Sequence, residues 1–304
     1  MRRYREPRFL RSDGKPNFST RIYELPSEIE KYISRPVITV TSTSPISYVI
    51  KKMSTTGKRR IIVTDSTMKL RGIITSTDII NYFCGGELFK IIRYRHKNNI
   101  YSAYNEPAES IMTKGVVKAL FNEKIVSIIE KMIKYNVGGM PIVNEDDKVI
   151  GIITEKDILL EFSEKMPDNI YVKDLMKKDI EVVYPNTSII EAAKIMLDTG
   201  YRRLPVVVNN KPIGVLAAMD IVRYLASGTP FKRAISGRIE EGLEINVSDI
   251  ATTFAIKIDL TDTVKKAFEV MLENNVGLLI VEDEQKIKGI ITERDIFYNL
   301  TLEI

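Results

Sequence analysis

The stretch Gly289-Ile-Ile-Thr-Glu-Arg-Asp-Ile296 is the last of four near-copies: GIITSTDI at 72–79, GIITEKDI at 151–158, GVLAAMDI at 214–221 and GIITERDI at 289–296. Each copy runs Gly, apolar residues, then Asp six positions after the Gly and Ile next to it. A methionine stands 18 or 19 residues ahead of each Gly (Met53, Met132, Met196, Met271), with a short apolar run between: RRIIV, GGMPIV, RRLPVVV and VGLLIV. Self-similarity at a fixed period marks a repeat architecture. A longer period overlies it: Gly72, Asp78, Tyr82, Phe89 and Lys90 return as Gly214, Asp220, Tyr224, Phe231 and Lys232. The chain therefore reads as a pair of pairs, about 31–161 and 170–298, bridged by FSEKMPDN.

Within a repeat, Ile46, Val49, Ile50 and Met53 keep helical spacing, as do Ile189, Ala192, Ala193 and Met196. The β-branched runs that follow read as buried strands. After the Asp a second amphipathic helix starts: DIINYF, DILLEF, DIVRYL, DIFYNL. The order strand-helix-strand-strand-helix predicts an α+β fold, a small sheet with both helices on one face.

These units, closing on G-h-x-T-x-x-D, resemble CBS domains, the module named after cystathionine beta-synthase. A tandem pair resembles a Bateman module, and four repeats with no catalytic domain resemble archaeal stand-alone CBS proteins and the gamma subunit of AMP-activated protein kinase. The resemblance implies two Bateman modules in a pseudo-symmetric disc. The boundaries expected are a basic arm at 1–30, repeats at 31–84, 110–161, 170–226 and 247–298, and connecting segments at 85–109 and 227–246. It also implies a non-catalytic sensor of AMP, ADP or ATP with no covalent cofactor. Asp78, Asp157, Asp220 and Asp295 would take ribose hydroxyls, and Thr75, Thr154 and Thr292 the phosphates. The first strands would meet the base, through Thr39, Val40 and Val182.

Elementary chemistry is compatible with those roles. A helix N-terminus offers unpaired N–H groups and a positive dipole end to phosphate, and a carboxylate accepts sugar hydroxyls. The same Thr-x-x-Asp spacing also describes a capping box, in which both side chains satisfy the helix's own amides. Ala217 replaces the threonine in repeat three while Asp220 stays, which favours a role for the acid beyond the box and removes a phosphate hydroxyl there.

Cations are unevenly shared. Lys58-Arg59-Arg60 and Arg202-Arg203 lead into the second strands of repeats one and three, near the phosphates on the family pattern; repeats two and four have Lys156 and Arg294 before their Asp instead. Phosphate is expected to be held best where the cations of one repeat face the Thr/Asp of its partner. Gly138-Gly139 is expected to mark a turn, and the methionines to be core.

Composition narrows the chemistry. With one His (His96) and one Cys (Cys84), a chain of 304 residues builds no His/Cys zinc site and no disulfide framework. His96 lies in the basic stretch IIRYRHKNN, where no carboxylate is expected to adjoin it, a poor setting for a catalytic base. No apolar run approaches a bilayer span and the N-terminus lacks a secretory pattern, so a cytoplasmic protein is expected. The net charge of +5 gathers in residues 1–21 (Arg2, Arg3, Arg5, Arg8, Arg11, Lys15, Arg21). A basic arm suits RNA or a ribosome, or packs on the protein's own acidic face. The mixed segment 88–104 suits an RNA contact or a clamp between repeats one and two. A protein partner or a second copy of the chain would receive the signal.

Overall fold

The structure, a computed structural model, describes residues 16–19, 21–22, 28–284 and 286–302; of the cations of the basic arm at residues 1–21 only Arg21 falls within them. Repeat one is β1 (Thr39–Thr41), α1 (Ile46–Thr56), β2 (Arg60–Thr64), β3 (Leu70–Thr75) and α2 (Ser76–Phe83), followed by α3 (Ile100–Tyr104). Repeat two is β4 (Ala119–Leu120), α4 (Ile125–Lys134), β5 (Gly139–Val143), β6 (Val149–Thr154) and α5 (Glu155–Phe162). After the short α6 (Val172–Leu175), repeat three has α7 (Ile189–Thr199), β7 (Arg203–Val208), β8 (Lys211–Ala217) and α8 (Ala218–Ala226). Two short helices follow, α9 (Thr229–Arg233) and α10 (Ile239–Gly242). Repeat four is β9 (Lys257–Asp259), α11 (Val264–Glu273), β10 (Leu278–Asp283), β11 (Lys286–Thr292) and α12 (Glu293–Thr301).

In repeats one, two and four the first strand pairs parallel with the second, and the second antiparallel with the third. Repeat three departs from the expected order: its first strand shrinks to one bridge, Val183 with Val206. Proline shortens the first strand in repeats two and three alike, to two residues and to one bridge. Ile62 N–H and Ile280 N–H donate to Ile38 and Ile256 and so extend the first strands of repeats one and four. Pro141 and Pro205 hold the equivalent places in β5 and β7 and have no N–H to give. Val182, expected on a strand, thus lies just before the bridge. Gly139, expected in a turn, belongs to β5 opposite Thr154.

The four motif glycines answer to one steric demand. On each sheet a further stretch of chain crosses and makes a two-bond antiparallel bridge to the residue after the Gly: Thr113 with Ile73, Ser34 with Ile152, Thr252 with Val215, Lys177 with Ile290. A Cβ on Gly214 would lie 2.1 Å from the Thr252 carbonyl oxygen, and on Gly289 2.4 Å from that of Lys177. On Gly151 it would meet the Ile33 side chain at 2.0 Å, on Gly72 the Met112 sulfur at 2.6 Å. Only glycine admits the crossing chain so closely. The exchange is reciprocal: the segment before repeat one lies on repeat two and that before repeat two on repeat one, and repeats three and four do the same.

By contact the chain divides into two compact units, residues 38–115 with 181–255, and residues up to Val37 with 116–180 and from Ile256 on. Each unit thus gathers alternate repeats, one with three and two with four. In the first unit α1, α2, α7 and α8 bury Val49, Ile50, Met53, Ile79, Ala193, Met196, Ile221 and Val222. In the second, α4, α5, α11 and α12 bury Ile128, Met132, Leu159, Phe268, Met271 and Phe297. The four expected core methionines are all buried.

The longer period has its cause in the first unit. Tyr82 donates its hydroxyl to Ala103 O at 3.0 Å and Tyr224 does the same to Gly242 O at 2.6 Å, so each tyrosine ties its repeat to the connecting segment that follows. The two segments join each other through Ile100 N–H to Gly237 O and Ile239 N–H to Asn98 O, both 2.9 Å. Tyr104 reaches Leu225 O of repeat three at 3.0 Å. The segment is a clamp, but on repeat three rather than repeat two. It also corrects the view of His96: a carboxylate does adjoin it, because Glu106, 3% exposed, accepts from Arg95 and Ser110 and holds His96 Nε2 at 2.6 Å. Cys84 ends α2 in the core, where burial pushes its thiol up to about 12.

The steric account of the glycines predicts that Gly214→Ala and Gly289→Ala each lower unfolding free energy by roughly 1–3 kcal/mol, the usual range for overpacking. Gly57→Ala, at a left-handed helix end with open space around it, offers a comparison. Urea denaturation measures all three; wild-type stability in the first two contradicts the notch.

Candidate functional site

Each third strand runs straight into the second helix, so the strand's last residue is also the helix N-cap. In repeats one, two and four that residue is Thr75, Thr154 or Thr292, and its side chain accepts from the amide of the Asp three residues on. The acid answers through one oxygen, Oδ2, which takes the N-cap amide at 2.8 Å (Asp78), 2.8 Å (Asp157), 2.6 Å (Asp220, from Ala217) and 2.9 Å (Asp295). The three threonine hydroxyls direct their single proton to that same Oδ2, at 2.7, 2.6 and 2.6 Å. The capping box is therefore real in all three, and in repeat three the acid's half of it persists without a hydroxyl. To donate to a phosphate, each threonine has to release this bond.

Capping engages Oδ2, and in repeats two, three and four Oδ1 meets a second group. Asp157 Oδ1 accepts the Ser34 hydroxyl at 2.9 Å, and Asp295 Oδ1 stands 3.0 Å from Lys177 Nζ. Asp220 Oδ1 pairs with Arg223. Asp78 and Asp220 are buried, at 7% and 5% exposed, while Asp157 and Asp295 are half-buried. Burial pushes the Asp220 carboxyl above the usual carboxylate range, against the Ala217 amide and the charges of Arg223 and Arg203.

The cations fall where strand register puts them. Arg60 is the cross-strand partner of Thr75, and Arg203 that of Ala217. The carbonyls of Arg59 and Arg202 accept from Ser76 N–H and Ala218 N–H, the first helical amides, at 3.0 and 2.9 Å. Both repeats of the first unit thus hold arginines beside the acid of their own repeat. In the second unit the equivalent partners are Gly139 and Leu278. Arg294 has a different attachment there: its Nε donates to Glu155 at 2.7 Å and its Nη1 to Asn136 at 3.0 Å, tying repeat four to repeat two. The charge of Glu155 foremost raises the Arg294 guanidinium further. Lys156 is half-buried beside Asp157. Thr39 and Val182 are half-buried, whereas Val40 is 5% exposed with its side chain in the core, leaving it mainly backbone to offer.

Sequence reasoning missed Ser34, Lys177, Arg223 and Glu106. A signal for the first two exists: Ser34, Thr113, Lys177 and Thr252 each stand five residues before the position aligned with Thr39. Among the described residues no group of His, Cys, Asp and Glu is placed to hold a metal, and no helix is long and apolar enough to cross a membrane.

The CBS domain family matches residues 28–85, 108–164, 172–227 and 247–301. The chain belongs to the CBS domain family. It is 34% identical over 265 residues to the uncharacterized protein MJ1225 of Methanocaldococcus jannaschii, covering 86% of this chain and 95% of that protein. The crystal structure of MJ1225, a protein proposed as an archaeal homologue of γ-AMPK, superposes with a TM-score of 0.85 at 32% identity, over 90% of this chain and 99% of that one. A 33.4 kDa protein in a ribosomal RNA operon of Thermofilum pendens is 23% identical over 87% of this chain and 88% of its own length. An uncharacterized conserved protein of Pyrococcus horikoshii shares the fold, with a TM-score of 0.55 at 18% identity over 90% of this chain and 99% of that one.

The raised carboxyl of Asp220 has a thermodynamic consequence. Folding favours its protonated form, so the stability it lends at low pH is lost as pH rises from the ordinary carboxylate range through the raised value. Asp220→Asn keeps an oxygen for the Ala217 amide and should be at least as stable as wild type at pH 7. Urea titrations across the acid range test this, and a loss above about 2 kcal/mol, a buried hydrogen bond's worth, contradicts it.

Proposed function

We propose that the chain is a non-catalytic regulatory protein whose CBS repeats bind adenine nucleotides through the carboxylates at the helix starts. Occupancy would be passed to a partner, another protein or a second copy of the chain. The observation that carries this reading is the division of labour in each acid. Oδ2 is fixed in the cap, which orients the carboxylate, and in repeat two Oδ1 already accepts a hydroxyl, that of Ser34. A ribose diol presents the same kind of group. Arginines at 59, 60, 202 and 203 lie beside Asp78 and Asp220 and supply positive charge for phosphate, so repeats one and three are the favoured sites for charged nucleotides. Thr75 would add a hydroxyl, and in the second unit the Thr154 and Thr292 hydroxyls and the Lys156 ammonium would serve less strongly; Arg294 would first have to leave Glu155. The adenine edge would meet the backbone around Thr39, Val40 and Val182. The likeness to a protein proposed as a γ-AMPK homologue supports a regulatory role.

A second reading, contact with RNA, draws on the connecting segment of the first unit. Tyr94 is 76% exposed with Arg93, Arg95 and Lys97 exposed around it, a surface suited to stacking a base between phosphates. Such binding would weaken steeply with salt, as counterion release requires.

Isothermal titration with AMP, ADP, ATP and S-adenosylmethionine decides the first reading. Saturable heat is expected with at least one adenine nucleotide. Asp78→Asn with Asp220→Asn should weaken it by roughly 10-fold or more, since hydrogen bonds to a charged group contribute about 1.5–3 kcal/mol. No heat and no thermal shift at millimolar ligand rules the reading out.

A further inference from the structure

The crossing segments do more than fill the glycine notches. In the second unit the residue that bridges next to the motif Gly also sends its side chain to the ribose-type acid of that repeat. Ser34 bridges Ile152 and donates to Asp157 Oδ1 at 2.9 Å; Lys177 bridges Ile290 and lies 3.0 Å from Asp295 Oδ1. The two positions are equivalent, and so are the two acids. Both contacts fall on the oxygen that the capping box leaves over.

We propose that Ser34 and Lys177 are built-in competitors for the sugar-binding carboxylates of repeats two and four, so that a nucleoside enters there only by displacing them. The inference rests on the nucleotide reading above and adds a regulation to it. The Ser34 hydroxyl is a weak, neutral stand-in for one ribose hydroxyl; the Lys177 ammonium is a charged one and the harder to displace. Repeat four is therefore the more tightly closed site. Each competitor sits on the segment leading into the next sheet, five residues ahead of it, so displacement loosens the backbone bridge that the segment makes. Occupancy is thereby converted into movement of the chain before repeats one and three.

Adenosine, which has no phosphate, isolates the sugar contact, with AMP as the charged comparison. Ser34→Ala and Lys177→Met are titrated beside wild type by calorimetry, each also combined with Asp157→Asn or Asp295→Asn. Ser34→Ala removes only a hydroxyl, which keeps the test independent of folding. It should tighten adenosine binding about 3- to 10-fold, the equivalent of one neutral hydrogen bond. Lys177→Met should tighten it about 10-fold or more, since its contact is charged, and the matching Asp→Asn should abolish either gain. Amide exchange at Ile152 should quicken when adenosine binds the wild type. Binding by the variants where the wild type shows none supports the inference in its strongest form. Unchanged adenosine affinity in both variants, with the wild type binding, overturns the competition and leaves the nucleotide reading intact. Weaker AMP binding with unaltered adenosine binding makes Lys177 a phosphate ligand and overturns its role as competitor. Absence of binding in every form removes both.

Discussion

A backbone carbonyl brought to within van der Waals contact of a strand admits no side chain beneath it, and that constraint organises this molecule. At Gly214 and Gly289 the crossing chain lies so close that a single methyl would have to displace a peptide group. Interiors packed to crystal density have no slack for that. The crossing chain is held there by a pair of backbone hydrogen bonds, and in repeats two and four its Ser34 and Lys177 side chains reach the acid at the start of the next helix. Each such glycine lets the crossing chain bridge to its sheet, and in repeats two and four the acid at the helix mouth also gains a neighbour from elsewhere in the chain.

The two oxygens of that acid have different surroundings. One oxygen accepts from the N-cap amide and, where present, the threonine hydroxyl, and a cap of this kind contributes about 0.5–2 kcal/mol to the helix. The fixed oxygen orients the other, so capping and the binding role proposed for the acid do not compete for one atom. Repeat three shows how far the two can be separated: without a threonine, Asp220 still caps through the Ala217 amide and still turns its second oxygen to a cation. The two units then differ in what surrounds the acid. In the unit of repeats one and three, arginines stand across the strand from the helix start; in that of repeats two and four, the crossing segment fills the same neighbourhood.

Much of this was legible in the chain. The Met-to-Gly interval, the apolar runs and the Asp-Ile helix starts carry the repeat, because each reflects a local periodicity that packing enforces. Tyr82 and Tyr224 also betrayed a longer period, although what they tie down, the carbonyls of Ala103 and Gly242, was not. The capping box was visible and so was its ambiguity, since spacing alone cannot say which oxygen of an aspartate faces outward. What sequence left hidden is non-local. Ser34 reaches Asp157 across 123 residues and Arg294 reaches Glu155 across 139, and no local pattern encodes such pairs. The prolines at 141 and 205 were in plain view, but their effect on a neighbouring strand requires the register to be known.

The account stands on carboxylates that cap with one oxygen and bind with the other. A crystal structure of the chain grown with AMP tests it most directly. The expected result is ribose hydroxyls within hydrogen-bonding distance of Oδ1 of Asp78 or Asp220, while Oδ2 keeps its bond to the N-cap amide. Nucleotide bound away from all four aspartates, or a site in which those acids meet only their own helix, would contradict it.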